Sequence, residues 1–335
     1  MKSYAFIILF AMFGCVDDTI AQPEPLPKGY KNWYIGDFRC GVFVPPSYDP
    51  KKKYPLVIYL HGHSDTTSWN FGWYHEPVAL QDPAIVLTPK CPRSETGGWG
   101  TSTSEILSPM MVKTFEIIEQ VKKQYAIDEQ RIYIHGTSMG AIGTFGLIKR
   151  FPDMFTAGYA LCGWATPAMA PELSKVPFWI FHGELDDVVP VEGSRGIYNA
   201  VVAGGGKQIR YTEFKGVKHD AWNYVNDSKV YTWLLKQRKG DIHKSPAKVA
   251  GVDVASEDNA ILINWHRPAN VTINDDEVWF YKIYRDNVLV GEVENDLSKF
   301  IDMSAQKGKR YTYTVAAINY YFKESESSTP ATIVF

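Results

Sequence analysis

The fold of this chain is decided by residues 131–146, which read RIYIHGTSMGAIGTFG. Ile132 and Ile134 alternate in the first part, as expected of a buried strand, and the small residues at 141–150 predict a helix. Between them, the letters GTSMG match the pattern G-x-S-x-G, in which a sharp turn from strand to helix lifts a serine onto the rim of a sheet. Ordinary Gly/Ser turns have the same letters, so the role of Ser138 depends on the rest of the chain.

Gly136 and Gly140 have a physical purpose in such a turn. A strained turn from strand to helix leaves no room for a Cβ at either position. The helix that starts at Met139 would aim its free N–H groups and its positive dipole end at Ser138, where an oxyanion would form. The stretch therefore predicts a nucleophilic serine.

Strand-like and helical segments alternate along the first 240 residues. This alternation predicts an α/β fold class, with a mostly parallel sheet, flanking helices and right-handed crossovers. The predicted strands are residues 30–48 (one or two strands), 54–60, 83–88, 131–135, 157–162, 177–181 and 208–214. The predicted helices are residues 105–124, 141–150, 191–202 and about 221–238.

The composition changes at residues 239–246, a polar linker reading KGDIHKSP. Beyond it, apolar residues alternate as in antiparallel strands, and Asp286 and Asn287 predict a tight turn. We predict an α/β domain over residues 25–240, which contains Ser138, and an antiparallel β-sandwich over residues 245–335. Because the linker is polar and each half has its own apolar pattern, we expect two separate cores and a first domain that folds alone. The alternating residues are Ile261, Ile263 and Trp265, then Tyr281, Ile283 and Arg285, then Tyr311, Tyr313, Val315 and Ala317.

Two further loop residues give Ser138 a chemical context. A serine nucleophile needs a base for its hydroxyl and a carboxylate that orients the base. Asp186 and His219 follow later predicted strands, in the chain order Ser, Asp, His that α/β-hydrolases use, so all three should meet at one sheet edge. Asp187 and Glu184 are alternatives for the carboxylate, and we favour Asp186.

The loop after residues 54–60 supplies a predicted oxyanion hole. The backbone N–H of His63 would join that of Met139 there. His61 and His63 could also suggest a metal site, but no third ligand lies nearby in the sequence, so we predict no metal and no cofactor. Tryptophans on loops at the same edge are candidates for an aromatic wall of a substrate pocket, with ordinary packing as the alternative. They are Trp99, Trp164 and Trp222.

Composition excludes several classes of function. The chain has 335 residues, 45% hydrophobic content and a formal net charge of −2, which leaves room for two domains and no electrostatic reason to bind nucleic acid. Outside the N-terminus no run of eighteen apolar residues predicts a membrane span. The four cysteines are too few for a disulfide framework, and buried thiols are the plainer interpretation.

Residues 1–21 predict a secretory signal peptide. Lys2 precedes an apolar run at 4–16, and Ala21 offers a small residue for cleavage. A second interpretation is a lipoprotein signal with Cys15 acylated, although the residues before it are larger than such a site usually has. We expect a secreted or periplasmic protein.

Four segments together resemble a secreted group of α/β-hydrolases. They read YPLVIYLHG from Tyr54, RIYIHGTSMG from Arg131, HGELDDVVP from His182 and GVKHDAW from Gly216. The group is often labelled "predicted peptidase" and is similar to polyhydroxybutyrate depolymerases and to feruloyl or acetylxylan esterases. The resemblance spans about residues 30–238 and implies that Ser138, Asp186 and His219 are catalytic. One departure is Ala141, where the group usually has a second glycine; a methyl group is small enough to keep the helix close to the sheet, but the acyl pocket could differ.

Residues 245–335 resemble a fibronectin type III domain. Trp265 stands at that family's early core tryptophan, and Tyr313 lies in its tyrosine-corner strand. Such domains do not define a function.

These observations predict a serine carboxylesterase acting on ester bonds, with feruloyl or acetyl groups on plant or microbial polysaccharides as the expected substrates. One alternative is a serine peptidase of the same fold, against which the short segment at 163–176 argues, because it leaves no room for a cap domain. The other is a non-catalytic binding or adhesion protein with a hydrolase-like shell, against which the matched triad argues.

Overall fold

The computed structural model describes residues 30–63, 81–91, 98–100, 106–268 and 277–335. Within these residues, eight strands form one sheet in the order β1-β2-β4-β3-β5-β6-β7-β8. The pairs β1–β2 and β2–β4 are antiparallel, and every later pair in that order is parallel. The prediction of a mostly parallel α/β sheet is confirmed. The strands are β1 Tyr30–Ile35, β2 Phe38–Phe43, β3 Tyr54–Leu60, β4 Ile85–Pro89, β5 Ile127–Thr137, β6 Ala157–Leu161, β7 Phe178–Gly183 and β8 Ile209–Phe214.

The four predicted helices are present, two of them start clearly later than predicted, and the short helix at 170–173 was not predicted. The first begins only after Ser108, whose side chain accepts a hydrogen bond from the Met111 amide as an N-cap. The predicted helix at 221–238 is divided into a 3₁₀ turn and a shorter helix, because the Asn226 side chain caps the latter through the Lys229 amide. The helices are α1 Pro109–Gln124, α2 Met139–Arg150, α3 Ala170–Leu173, α4 Glu192–Ala203 and α5 Asp227–Lys236, and the 3₁₀ turn is Ala221–Asn223.

The parallel strands bring their carboxyl ends to one edge of the sheet. One sheet face packs against α1, α2 and α4 through a large apolar cluster that includes Ile58, Ile118, Phe145 and Ile197. Because β3, β4, β6 and β7 are buried almost throughout, the loops that leave this edge start from fixed positions. These loops carry the predicted site residues.

The C-terminal residues form two antiparallel sheets, consistent with the predicted β-sandwich. In the part of the chain that the structure describes, one sheet has the order β13-β10-β9 and the other β12-β11-β14-β15. Asp286 and Asn287 both have positive φ, 49° and 67°, and join β11 to β12 in the predicted tight turn. The strands are β9 Ala250–Glu257, β10 Ala260–His266, β11 Val278–Arg285, β12 Val288–Glu294, β13 Lys299–Asp302, β14 Arg310–Asn319 and β15 Ala331–Val334.

The core between these two sheets contains the residues that the alternation singled out. Trp265 is 3% exposed and packs edge-on against the Tyr281 ring, with ring centroids 5.1 Å apart. Tyr313 and Val315 are fully buried in the same cluster. The likeness to a fibronectin type III domain in particular stays a prediction.

A second apolar cluster joins the two halves of the chain. It covers the other face of the large sheet and combines Trp179 of β7 and Trp233 of α5 with Trp279 and Phe280 of β11. The Trp279 ring is stacked on Trp233 at 5.7 Å and edge-on to Trp179 at 4.8 Å. Each half thus has an apolar cluster of its own, as expected, but the two cores are not separate, because this third cluster spans both halves. The local alternation of apolar residues indicates which residues are buried. It does not show that Trp279 is buried against residues of the first half of the chain.

Three further predictions concern the signal peptide, the cysteines and membrane spans. The signal peptide at 1–21 and Cys15 lie outside the described residues. Cys40, Cys91 and Cys162 are buried thiols, as expected. Among the residues that the structure describes, no helix is long and apolar enough to span a membrane.

Candidate active site

Ser138 stands between the end of β5 and the start of α2, in a strained conformation. Its φ of 55° and ψ of −117° are unusual for a residue with a side chain, and its amide donates to the Leu161 carbonyl of β6 at 2.8 Å. A Cβ at Gly136 would collide with the Gly140 carbonyl, and a Cβ at Gly140 would collide with the Leu60 carbonyl. Both glycines therefore let the backbone close tightly around the serine.

Ala141 fits because a glycine lies opposite. A Cβ built on Gly163 would be 2.6 Å from the Ala141 Cβ, and Ala141 is fully buried. The methyl group that departs from the resemblance is thus accommodated by the missing side chain at 163. Helix α2 keeps its close approach to the sheet.

Ser138, His219 and Asp186 form a continuous hydrogen-bonded chain. His219 Nε2 lies 2.9 Å from Ser138 Oγ, and His219 Nδ1 lies 2.7 Å from Asp186 Oδ2. The imidazole therefore faces the hydroxyl with one nitrogen and the carboxylate with the other. The carboxylate acceptor requires the proton on Nδ1, which leaves the Nε2 lone pair for the serine hydroxyl.

The Asp186 carboxylate is fully buried but well supplied with donors. Its Oδ1 accepts hydrogen bonds from the Val188 amide at 2.9 Å and the Val189 amide at 2.8 Å. Burial alone would raise the pKa of Asp186, but the bonds from His219 and from both amides outweigh it and hold the pKa below its usual range. The group is thus an anion over the neutral pH range.

The other two candidate carboxylates lie outside this chain of hydrogen bonds. Asp187 is exposed and pairs with Lys218 at 2.9 Å. Glu184 accepts from the Gly216 amide at 2.9 Å. The geometry therefore selects Asp186 as the carboxylate that can orient His219.

The predicted oxyanion-hole residues lie on segments that flank Ser138. Met139 is the first residue of α2, so its amide is one of the helix N–H groups without an intrahelical partner. His63 follows Gly62, where an added Cβ would be only 3.5 Å from Ser138 Cβ. The turn that carries His63 therefore runs beside the serine, and its part in an oxyanion hole remains a prediction.

His61 and Trp99 brace this turn from inside the protein. The His61 ring accepts a hydrogen bond from the Cys91 amide at 2.9 Å, and the Trp99 indole N–H donates to the His61 carbonyl at 2.9 Å. Trp99 is only 1% exposed and belongs to the core. The prediction that Trp99 lines a substrate pocket thus does not fit its position, since its ring packs under the loop rather than facing solvent.

Trp164 and Trp222 are the predicted tryptophans that do reach the surface, and Trp222 does so beside the triad. Each is 38% exposed. Trp222 stands edge-on to the His219 ring, with centroids 5.5 Å apart. Trp164 lies over Gly193, where an added Cβ would be 2.5 Å from its ring. Both rings are therefore held in place while one side remains open.

One cluster in this region has the composition of a metal site. Donor atoms of Cys162, Asp186 and His219 all lie within 4.8 Å of one another. Burial raises the pKa of the Cys162 thiol to about 12, and the imidazole is already hydrogen-bonded on both nitrogens. A protonated thiol and a fully engaged imidazole fit a hydrogen-bonded triad better than a metal.

One contact to the triad was missed from the sequence. His182, to which the sequence analysis assigns no role, lies with Nε2 3.1 Å from Asp186 Oδ2. The signal was present, since His182 and Asp186 are four residues apart after a buried strand. The conformation of the turn that brings them together could not be predicted from the amino-acid sequence.

Comparison with known proteins identifies the fold. Residues 101–230 match the model of the Phospholipase/Carboxylesterase family. A thermostable esterase of known structure is 30% identical, with a TM-score of 0.56 over 63% of this chain and 64% of that chain. The large sheet and its helices thus have the α/β-hydrolase fold.

Curated relatives include both esterases and a peptidase. The chain is 30% identical to a bifunctional acetylxylan esterase/xylanase of Neocallimastix patriciarum, over 44% of this chain and 21% of the relative. It is 29% identical to dipeptidyl-peptidase 5 of Porphyromonas gingivalis, over 38% of this chain and 19% of the relative. It is 24% identical to feruloyl esterase B of Talaromyces stipitatus, over 57% and 55%. The chain spans about a fifth of the first two relatives and about half of the third, and the similarities support a hydrolase.

Proposed function

We propose that this protein is a serine carboxylesterase that works through an acyl-enzyme on Ser138. The observation that carries the proposal is the hydrogen-bonded chain from Ser138 through His219 to the buried Asp186, at 2.9 Å and 2.7 Å. A nucleophile, a base and an orienting anion in this order are the parts that ester hydrolysis through a serine requires.

In the first half-reaction, Ser138 Oγ attacks the ester carbonyl while His219 Nε2 takes the hydroxyl proton. The carbonyl oxygen becomes an oxyanion, for which the amides of Met139 and His63 would be the donors. Asp186 stabilises the imidazolium and keeps the ring in orientation. His219 then gives the proton to the leaving alcohol, the C–O bond to that alcohol breaks, and the acyl group remains on Ser138.

In the second half-reaction, water takes the place of the alcohol. His219 accepts a proton from the water as its oxygen attacks the acyl carbon, and returns it to Ser138 Oγ when the acid leaves. The carboxylic acid product is released and Ser138 regains its hydroxyl. The cycle needs no cofactor.

The substrate class we propose is an acyl group, acetyl or feruloyl, carried by a polysaccharide. Support comes from the names of two relatives, an acetylxylan esterase/xylanase and a feruloyl esterase. The exposed ring of Trp222 beside His219 offers apolar surface to an acyl group, and Trp164 is a second exposed tryptophan. A secreted or periplasmic location, through the leader at 1–21, would suit a polymeric substrate.

The peptidase relative makes amide hydrolysis the second candidate. A peptidase must hold the chain on both sides of the scissile bond. Residues 162–177, between β6 and β7, form only a 3₁₀ turn and the four-residue helix α3, which leaves the triad without a cap from this position. This favours an open cleft and an ester carried by a bulky alcohol.

The test compares esters with amides on the purified full-length chain. We expect turnover of p-nitrophenyl acetate and of methyl ferulate or acetylated xylan, and none of casein or aminoacyl-p-nitroanilides. Anilide cleavage with no ester preference would contradict the esterase assignment. No turnover of any substrate would instead favour a binding protein with a hydrolase-like shell.

A further inference from the structure

The carboxylate of the triad is held by a second, fully buried histidine. His182, the fifth residue of β7, places Nε2 3.1 Å from Asp186 Oδ2 and 2.9 Å from the Val189 carbonyl. Its Nδ1 lies 2.7 Å from the hydroxyl of Ser194 in α4, which is also fully buried. The imidazole thus connects β7, the Asp186 turn and α4.

The surroundings fix the proton on this ring. Both atoms that face Nε2, a carboxylate oxygen and a carbonyl oxygen, are acceptors, so Nε2 must carry a hydrogen. Burial is the largest influence on the pKa of His182 and lowers it, which keeps the ring neutral at pH 7. A neutral ring with Nε2–H accepts at Nδ1, so the Ser194 hydroxyl donates there at 2.7 Å rather than to the more distant Gly163 carbonyl at 3.3 Å.

Together these contacts surround the Asp186 turn. The Val189 amide donates to Asp186 Oδ1 while its carbonyl accepts from His182, whose Nε2 also lies 3.1 Å from Asp186 Oδ2. The carboxylate therefore cannot rotate without breaking a bond at each oxygen. Oδ2 is the oxygen that also accepts from His219.

We propose that His182 is a positioning residue for the triad, which holds Asp186 Oδ2 in line with His219 through a buried N–H and is itself oriented by Ser194. The inference rests on the proposed function for its kinetic consequence, since it assigns how the orienting carboxylate is aimed. His182 contacts the carboxylate, whereas the Ser138 hydroxyl is contacted by His219.

Two substitutions of His182 test the contacts of its two ring nitrogens one at a time. In His182→Gln, the longer amide can still donate to Asp186 from near the Nε2 position. In His182→Asn, the shorter amide can meet Ser194 near the Nδ1 position but does not reach Asp186. A misplacement of about 1 Å in an active site can cost about a hundredfold in rate. We expect kcat for p-nitrophenyl acetate to fall about ten- to a hundredfold in His182→Asn, with KM within about twofold, and His182→Gln to recover most of the loss.

A matched control uses the other buried histidine of the sheet. His135 is stacked between Tyr59 and Tyr159, at 4.9 Å and 4.4 Å, rather than against Asp186. His135→Asn should lower the thermal midpoint but leave kcat per active site within about twofold of wild type. Active-site titration with a fluorophosphonate normalises all rates to folded enzyme.

A spectroscopic readout needs no substrate. The proton between His219 Nδ1 and Asp186 should give a strongly downfield proton NMR resonance, which shifts or disappears in His182→Asn and is retained in His182→Gln. Equal kcat losses in the two variants, or an unchanged kcat and resonance in His182→Asn, would overturn the proposal. If wild type hydrolyses no ester but the resonance responds as expected, the positioning stands and only the proposed esterase function fails.

Discussion

The guanidinium of Arg210, in the last strand of the hydrolase sheet, lies 4.6 Å from the centre of the Trp279 ring in the C-terminal half. The same group is 4.6 Å from Trp179 and 4.2 Å from Phe280, and it pairs with Glu294 of β12 at 2.7 Å. One hydrolase side chain is therefore enclosed by aromatic rings from both halves. The C-terminal sheet that contains β11 and β14 therefore packs, together with α5, on one face of the hydrolase sheet.

This interface predicts that the halves depend on each other. Truncation after Lys239 would expose Trp179 and Trp233, which are 4% and 0% exposed in the full chain. We expect the truncated chain to be insoluble or aggregated, and Trp279→Ala to lower the free energy of unfolding by about 3–5 kcal/mol. Chemical denaturation measures the second effect, with Trp279→Phe as the milder control. A soluble, fully active truncated enzyme with the thermal midpoint of the full chain would contradict the prediction.

Two neighbouring carboxylates should differ sharply in their effect on catalysis. Asp186 is buried and bonded to His219, whereas Asp187 pairs with Lys218 in solvent. We expect Asp186→Asn to reduce kcat by up to about ten-thousandfold, because an amide favours the wrong imidazole tautomer. Asp187→Asn should leave kcat within about threefold of wild type, because an exposed ion pair contributes little free energy. Comparable losses in steady-state kinetics would move the orienting role away from Asp186.

Asp302 should make the stability of the C-terminal sheets depend on acid pH. Its buried carboxylate accepts hydrogen bonds from Tyr313 at 2.7 Å, Arg285 at 2.8 Å and the Ser304 hydroxyl at 2.7 Å. Burial raises the pKa of Asp302, but these bonds outweigh it and hold the pKa below its usual range. A carboxyl with a lowered folded pKa stabilises the protein above its unfolded pKa of about 3.9, and this contribution is lost as the pH falls through the folded value.

We therefore expect Asp302→Asn to lower the thermal midpoint at pH 7. The difference from wild type should shrink as the pH falls below the unfolded pKa of about 3.9, because the wild-type carboxylate becomes protonated as the pH passes through its lowered folded pKa. Thermal unfolding followed by circular dichroism at each pH measures this difference. A difference that stays constant down to pH 2 would show that the charge of Asp302 contributes nothing.

Trp222 should distinguish an aromatic acyl group from a small one. An aromatic pair contributes about 0.5–1.5 kcal/mol beyond simple burial, or about two- to tenfold in rate. We expect Trp222→Ala to lower kcat/KM for methyl ferulate by that factor more than for p-nitrophenyl acetate. Equal losses for both substrates would mean that Trp222 only packs against His219. The same comparison of kcat/KM for Trp164→Ala shows whether the Trp164 ring also contacts the acyl group.

Much of the fold could be predicted from local pattern. The elbow at Ser138, the buried strand ending at Leu60 and the Asp286–Asn287 turn depend on properties of a few neighbouring residues, such as glycine spacing, apolar runs and tolerance of positive φ. The convergence of Ser138, Asp186 and His219 followed from their places after parallel strands. Such features are encoded within about ten residues each.

What could not be predicted depends on contacts between distant segments. Trp99 follows a predicted strand, but its ring is buried because its indole N–H donates a hydrogen bond to the carbonyl of His61, which lies 38 residues earlier in the chain. Trp279 alternates like any strand residue, and nothing local says that its partner is Trp233 of another half. His182 reaches Asp186 only because the intervening turn folds back. These positions need the assembled structure.

The central claim, an acyl-enzyme on Ser138, is tested most directly by covalent labelling. Wild type and Ser138→Ala are incubated with a fluorophosphonate probe, and the adduct is located by peptide mass spectrometry. The account predicts one adduct, on the peptide that contains Ser138, and none in Ser138→Ala at an unchanged thermal midpoint, because a partly exposed hydroxyl contributes little to stability. Strong labelling of Ser138→Ala, or no adduct on wild type, would contradict it.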